Sequence, residues 1–345
     1  MRLREGGVFV LLGALAFAVA GQTKPVSKDA QSPPTATEQA ESLLSAGKID
    51  AAINILTGVS RTEANEGQIS HLLGQAYYQK ADYERALEQL AVSVKRAPEG
   101  SREHRQDVQM LGLSHYLLGH IKEAIPYLER VRNWAPDNVE MTYTLGISYI
   151  QTREPDKARE SFARMFSVPP ASPSAYLINA QMMIRQQFEE LAESELRKAL
   201  ELDPKLPQAN YLLGEMAIYR ANLDQGIELL QKEITVNPGF AMAYYMLGEA
   251  YSRQLKWDQA VAPLQKSIWL NPFFSGPFIV LGKVYLKKGE LGNAESMLRR
   301  ALKMDPNNFS GHHLLAQVLQ QSNRGEEAKR EFEIADSLRV NSEKR

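Results

Sequence analysis

The 345-residue chain carries 40 Lys and Arg against 41 Asp and Glu, is 44% hydrophobic and contains no cysteine. The even charge balance argues against a dedicated nucleic-acid binder, which needs excess positive charge for the phosphate backbone. The missing cysteines remove disulfides, thiolate zinc sites, iron–sulfur clusters and thiol nucleophiles, and at about 150 residues per domain the length predicts roughly two domains.

The amino terminus comes first in chain order. Arg2 and Arg4 precede an apolar run from Val8 to Val19, and Ala18-Val19-Ala20 is a small-x-small cleavage signal before Gly21. This three-part pattern predicts a secretory signal peptide over residues 1–20. The run is shorter than the roughly 17–25 residues of a membrane span, and no cysteine follows to carry a lipid. The expected product is a periplasmic or secreted protein, with an inner-membrane anchor through residues 8–20 as the alternative. Residues 21–36 hold Pro25, Pro33 and Pro34 with no apolar period, which predicts a flexible linker. No later segment reaches spanning length, so no stable membrane span is expected after cleavage.

The body repeats. Leu-Gly stands at Leu73-Gly74, Leu111-Gly112, Leu145-Gly146, Leu213-Gly214, Leu247-Gly248 and Leu281-Gly282. From Gly112 onward the spacing is 34 residues or its double, and Ala40, Ala180 and Ala316 fill the remaining places. Gly74 and Gly112 are 38 apart, which predicts a four-residue insertion at Glu99-Gly100-Ser101-Arg102 and a flexing point near Gly100. Twelve residues after each small residue comes another, from Ala52 and Ala86 through Gly226 to Ala328, and four residues later an apolar one, from Leu56 and Leu90 to Phe332. Pro98, Pro136, Pro170, Pro204, Pro238, Pro272 and Pro306 close the copies.

This spacing predicts two amphipathic helices per copy. The small residues mark the point where the two helices cross, and proline ends the second helix. Pro126 and Pro263 fall inside second helices and are expected to bend them; Pro155 falls at a helix start, where proline is tolerated. One helix pair cannot bury its apolar face alone, so the copies must stack.

Leu145-Gly146, Tyr149, Ala158, Phe162 and Pro170 in one frame, and Leu281-Gly282, Tyr285, Ala294, Leu298, Ala301 and Pro306 in another, resemble the tetratricopeptide repeat family. The frame covers nine copies, near 33–66, 67–104, 105–138, 139–172, 173–206, 207–240, 241–274, 275–308 and 309–342, with a tail over 343–345. No copy has the family's early Trp; Tyr176, Tyr244 and Phe278 stand there in some. The first copy, with Gln39-Ala40 and Ala64 in place of Leu-Gly and Pro, fits least well, and its first helix is expected to fray. The resemblance implies an all-α fold: an α-solenoid, a right-handed superhelix of about nine helix pairs.

No catalytic constellation is present. HExxH, GxSxG and phosphate-binding glycine loops are all missing, and His312 and His313, adjacent on a helix, diverge too far to chelate. His115 takes a place that is Tyr or Leu in other copies and reads as a core residue. No metal, cofactor or enzymatic activity is expected.

The family lines a concave groove with first-helix residues, and places 2, 5, 9, 12 and 13 of each copy usually face it. Carried onto this chain, the resemblance implies Tyr116, Tyr143, Ile147 and Ile150 in copies three and four. It implies Tyr211, Glu215, Tyr219, Tyr245, Glu249 and Arg253 in copies six and seven. Ile279, Lys283 and Lys287 follow in copy eight. Charge reverses along that line, so a bound segment would be read with polarity. The bland alternative for each is packing or solvation: Tyr211 and Ile147 against a neighbouring helix, Glu215 and Lys283 in water. Two family specialisations find no match. The carboxylate clamp of chaperone-binding members would need Lys and Asn where Tyr143 and Ile147 stand. The asparagine ladder of the sugar-nucleotide transferases is replaced by Leu72, Met110, Thr144, Ile178, Leu212 and Met246.

The expected function is therefore a non-catalytic protein–protein interaction scaffold. It is exported, bacterial, and binds a protein or peptide in its groove during envelope assembly or secretion. The alternative is an accessory subunit of an envelope enzyme complex that binds polysaccharide or peptidoglycan, with Tyr211, Tyr245 and Trp257 stacking on sugars.

Overall fold

The computed structural model describes residues 34–343, and their side chains through residue 340. The signal peptide expected over 1–20, the anchor alternative and nearly all of the 21–36 linker lie outside the described residues. Among the described residues there are eighteen α-helices and no strand.

The chain divides into two compact units, 1–60 and 61–345. In the first, α1 (Ala36–Ser45) and α2 (Ile49–Gly58) form one helix pair around Ala40, Leu44, Ala52 and Leu56. The expected fraying of α1 is not seen. Thr35 and Glu38 form a capping box, in which the Thr35 amide donates to the Glu38 carboxylate at 2.8 Å. Such a cap satisfies two backbone donors that a helix start leaves open.

The second unit is an all-α repeat superhelix of eight helix pairs. In order these are α3 (Glu66–Gln79) with α4 (Tyr83–Arg96), α5 (Arg102–Leu117) with α6 (Ile121–Trp134), α7 (Val139–Gln151) with α8 (Pro155–Met165), and α9 (Pro173–Arg185) with α10 (Glu189–Leu202). They continue with α11 (Ala209–Tyr219) and α12 (Leu223–Val236), α13 (Ala241–Arg253) and α14 (Trp257–Leu270), α15 (Ser275–Lys288) and α16 (Leu291–Met304), and α17 (Phe309–Gln321) and α18 (Gly325–Glu343). Each helix packs on the next. First helices of successive pairs also meet, α3 with α5, α11 with α13, α13 with α15 and α15 with α17. These first helices therefore share one face of the unit, its inner face.

The small residues hold the pairs together as their spacing predicts. A Cβ on Gly74 would lie 2.5 Å from Leu90, one on Gly146 2.7 Å from Phe162, one on Gly248 2.5 Å from Leu264 and one on Gly282 2.6 Å from Leu298. In every case the obstacle is the apolar residue sixteen places on, and all four are 0% exposed. The bare glycine is a socket, and the Leu or Phe of the second helix is the knob that fills it.

The turn inside each pair uses one conformation. Its left-handed residue is Gly47, Ala81, Gly119, Arg153, Gln187, Ala221, Leu255, Gly289 or Asn323, with φ between +58° and +79°. At Leu255 the pattern is explicit: its amide donates to the Ser252 carbonyl at 3.1 Å and the Lys256 amide to the Tyr251 carbonyl at 2.9 Å. These two bonds are the Schellman closure of a helix end. Glycine suits that place, yet six of the nine copies put another residue there and accept the strain.

Both interior prolines are accommodated. α6 and α14 run through Pro126 and Pro263 without a break. Pro155 opens α8 at its first turn. In the insertion, Gly100 takes φ +78° and Ser101 caps α5 by accepting from the His104 amide at 3.1 Å.

Candidate functional site

The inner face of pairs α11/α12 and α13/α14 repeats one device. Tyr211 on α11 meets Phe240 edge-on at 5.0 Å, and Tyr245 on α13 meets Phe274 in the same way at 5.0 Å. Each Phe stands just before or at the start of the next first helix, so each ring pair bridges two copies. Each tyrosine is followed one helical turn on by a glutamate, Glu215 or Glu249. Tyr211 Oη donates to Glu215 Oε1 at 2.9 Å, and the Glu249 charge acts on the Tyr245 phenol. The i to i+4 spacing places both groups on one helix face.

The electrostatics of this face follow from its packing. Burial, then the adjacent glutamate, pushes the Tyr211 and Tyr245 phenols well above the usual tyrosine range. Burial also pushes the Glu215 carboxyl up. The Tyr211 hydrogen bond opposes that shift and the Glu249 charge adds to it. Tyr219, 68% exposed at the end of α11, is raised by burial and by both glutamates and lowered by Arg253. These mutual effects place Tyr211, Glu215, Tyr219, Tyr245, Glu249 and Arg253 in one neighbourhood. Arg253 Nη1 donates to the Ile218 carbonyl at 3.1 Å. Among the described residues neither glutamate forms an ion pair.

One copy further on, the device ends. Ile279 replaces the tyrosine, Lys283 the glutamate and Asn308 the phenylalanine. Lys283 is half-buried and Lys287 exposed, and neither is ion-paired among the described residues.

The other expected groove residues divide. Tyr143 is exposed, with its ring 6.2 Å from Phe162, and Tyr116 is half-buried beside it. Tyr78 on α3 joins this stretch; burial, Tyr83 and Glu140 push its phenol up to about 12. Ile147 and Ile150 are corrected to core residues, 2% and 0% exposed, because α7 is covered on that side and both enter the main apolar cluster. Tyr211 is also largely core at 9% exposed, since Phe240 covers its ring. It offers no free face for a sugar, and only its hydroxyl reaches the glutamate. His115, expected in the core, is half-buried and stacks on Tyr127 at 5.7 Å.

Phe240, Phe274 and Glu233 were not expected at the site. Glu233 on α12 is 0% exposed and accepts from the amides of Gln208 at 2.8 Å and Tyr211 at 3.3 Å. Gln208, with φ +71°, makes no side-chain cap for α11, so the buried glutamate supplies one. It fixes the start of the helix that carries Tyr211, Glu215 and Tyr219. A signal existed: the equivalent places hold Val131, Met165, Ala199, Ser267 and Ala301, and an acid there needs a reason.

A profile described as tetratricopeptide repeat matches residues 43–106, 116–178 and 285–342, together more than half of the chain. A second profile of that description matches residues 242–273. The BBSome complex member BBS4 of Bos taurus is 29% identical over 146 residues, covering 42% of this chain and 27% of that protein. Its Mus musculus counterpart is 29% identical over 112 residues, covering 32% and 21%. The chain thus spans about a quarter of the length of the curated relatives it matches. Among solved structures, MamA 41-end from Desulfovibrio magneticus RS-1 gives a TM-score of 0.45 at 18% identity, over 49% of this chain and 96% of that one. YrrB, a TPR protein with an unusual peptide-binding site, gives 0.46 at 20% identity, over 52% and 93%.

Proposed function

The chain belongs to the tetratricopeptide repeat family, and from that premise we propose that it is a non-catalytic scaffold holding a protein segment on the inner face of its second unit. One observation carries the reading. Successive first helices present the same Tyr–Glu pair one copy apart, with the exposed Tyr219 beside them. Large aromatic rings next to charged groups are what interface anchors use. The reading extends to the setting: the apolar run at Val8 to Val19 and the small residues before Gly21 support export and a role in envelope assembly or secretion.

The test is a crosslinked pull-down from cell envelopes with residues 21–345 as bait, beside a bait carrying Tyr219→Ala, Tyr245→Ala and Glu249→Lys. A protein recovered by the first bait and lost from the second is the expected result. Equal recovery from both would move the interface off this face. Recovery of glycan with no protein would replace the reading by polysaccharide or peptidoglycan binding. Export is tested separately: the expected mature amino terminus is Gly21, and a chain retaining Met1 in the cytoplasm would refute it.

A further inference from the structure

We propose that the segment held on this face carries a lysine or arginine side chain that seats between Glu215 and Glu249, and an acidic side chain about four residues on that meets Lys283 and Lys287. This inference rests on the groove reading above and adds the chemistry of the occupant.

Three features of the face support it. The first is that the two carboxylates stand without counter-ions, while two glutamates on second helices are neutralised. Glu193 binds Arg197 and Arg220, each at 2.6 Å, and Glu295 binds Arg299 and Arg324, each at 2.8 Å. Glu215 holds only the Tyr211 hydroxyl, and Glu249 has no ion-pair partner among the described residues. The nearest cation on their own helices, Arg253, spends a guanidinium nitrogen on the Ile218 carbonyl. Two like charges, one of them partly withdrawn from water, raise each other's energy. A cation arriving from outside relieves both.

The second feature is aromatic and independent of the charges. Tyr219 is 68% exposed and turns into the same neighbourhood, and Tyr245 is half-buried beside it. A cation over a phenol face gains further attraction. The edge-on contacts with Phe240 and Phe274 hold the two inner tyrosines, and the Tyr211 hydroxyl in turn holds the Glu215 carboxylate. The seat is built before anything enters it.

The third feature is the reversal of sign one copy further on. Lys283 takes the place of the glutamate, with Lys287 a turn beyond it, and neither is ion-paired among the described residues. Packed helices lie about 8–10 Å apart, and an extended chain advances about 3.3–3.6 Å per residue. From a seat midway between copies six and seven, Lys283 lies one and a half such steps away, about 12–15 Å, which a basic and an acidic residue about four positions apart span with both side chains on one face. A purely acidic or purely basic segment would meet one like-charged patch, so the face selects both composition and direction.

The probe is a display library of random twelve-residue peptides panned on the full chain, followed by fluorescence anisotropy with the selected peptides. The expected enrichment is Lys or Arg followed about four residues later by Asp or Glu. Changing the basic residue of a selected peptide to Ala should weaken binding at least about tenfold, and raising salt should weaken it too, as charge pairing requires. Glu215→Gln with Glu249→Gln, which keeps shape and hydrogen-bonding capacity, should abolish the preference for the basic residue. Lys283→Ala with Lys287→Ala should abolish only the preference for the acidic one. Selected peptides without a basic residue, still lost when Tyr219 is changed to Ala, would overturn this inference and leave the groove reading standing. Peptides whose binding ignores every one of these variants would overturn both.

Discussion

Replacing Leu255 by glycine should stabilise the protein. Leu255 occupies the left-handed place in the α13–α14 turn at φ +61° and is 68% exposed. A left-handed L-residue costs about 1–2 kcal/mol, which glycine does not incur. Glycine forfeits about 0.5–1 kcal/mol through the greater freedom of its unfolded chain. Because the leucine side chain is mostly in water, little apolar burial is lost. The net gain is about 0.5–1 kcal/mol, or roughly 0.3 M in urea midpoint at a slope of about 1–3 kcal/mol per molar. Two companions isolate the cause. Leu255→Ala removes the leucine but keeps the strained backbone, and should shift the midpoint far less. Gly289→Ala makes the opposite change in the next copy at φ +79°, where an added Cβ meets nothing within 4 Å. It should lower stability by about 1 kcal/mol through backbone strain alone. Equilibrium urea unfolding followed by circular dichroism reads all three. If Leu255→Ala stabilises as much as Leu255→Gly, or Gly289→Ala is silent, strain in these turns is not the determinant argued above.

Gly248→Ala should cost about 1–3 kcal/mol by overpacking, since the new methyl would lie 2.5 Å from Leu264; a melt indistinguishable from the parent protein would show the helix crossing to be looser than described. Glu233→Ala should cost about 1–3 kcal/mol by leaving the buried amides at the start of α11 without an acceptor, and amide exchange in that first turn should rise; unchanged protection would refute the capping role. Glu215→Gln should stabilise the free protein at neutral pH. The folded carboxyl titrates above its unfolded value, so its ionised form carries the penalty, which disappears as pH falls below the unfolded value. Stability curves for the two proteins should therefore converge in acid, and a gap that persists there would contradict the assignment.

The sequence carried the repeat because its constraint recurs. A small residue and an apolar one sixteen places later were visible again and again, and Gly146 against Phe162 shows the contact that keeps them. The inner face was legible only in part. Tyr219, Arg253 and Lys287 are exposed where the repeat frame places them, but exposure elsewhere depends on what the next copy lays against a residue. Phe240 covers Tyr211, and the packing around α7 buries Ile147 and Ile150. Neither effect has a period of its own. The buried acids were less legible still. Glu233 takes its role from a glutamine at φ +71° twenty-five residues earlier, and Asp107, 0% exposed, is held by His71 and Ser93, each at 2.6 Å, from two other helices. Such partners become visible only once the chain is folded.

The central claim is that protein is captured on the inner face, and site-specific photocrosslinking tests it most directly. A benzophenone side chain would be placed at Tyr219 on α11 and, in a separate protein, at Trp269 on α14, which is equally open at 72% exposed. Irradiation in intact cells should yield a discrete protein adduct from position 219, lost when Tyr245→Ala and Glu249→Lys are added, and none from position 269. An adduct from position 269 alone, or one from 219 that survives those changes, would contradict the account.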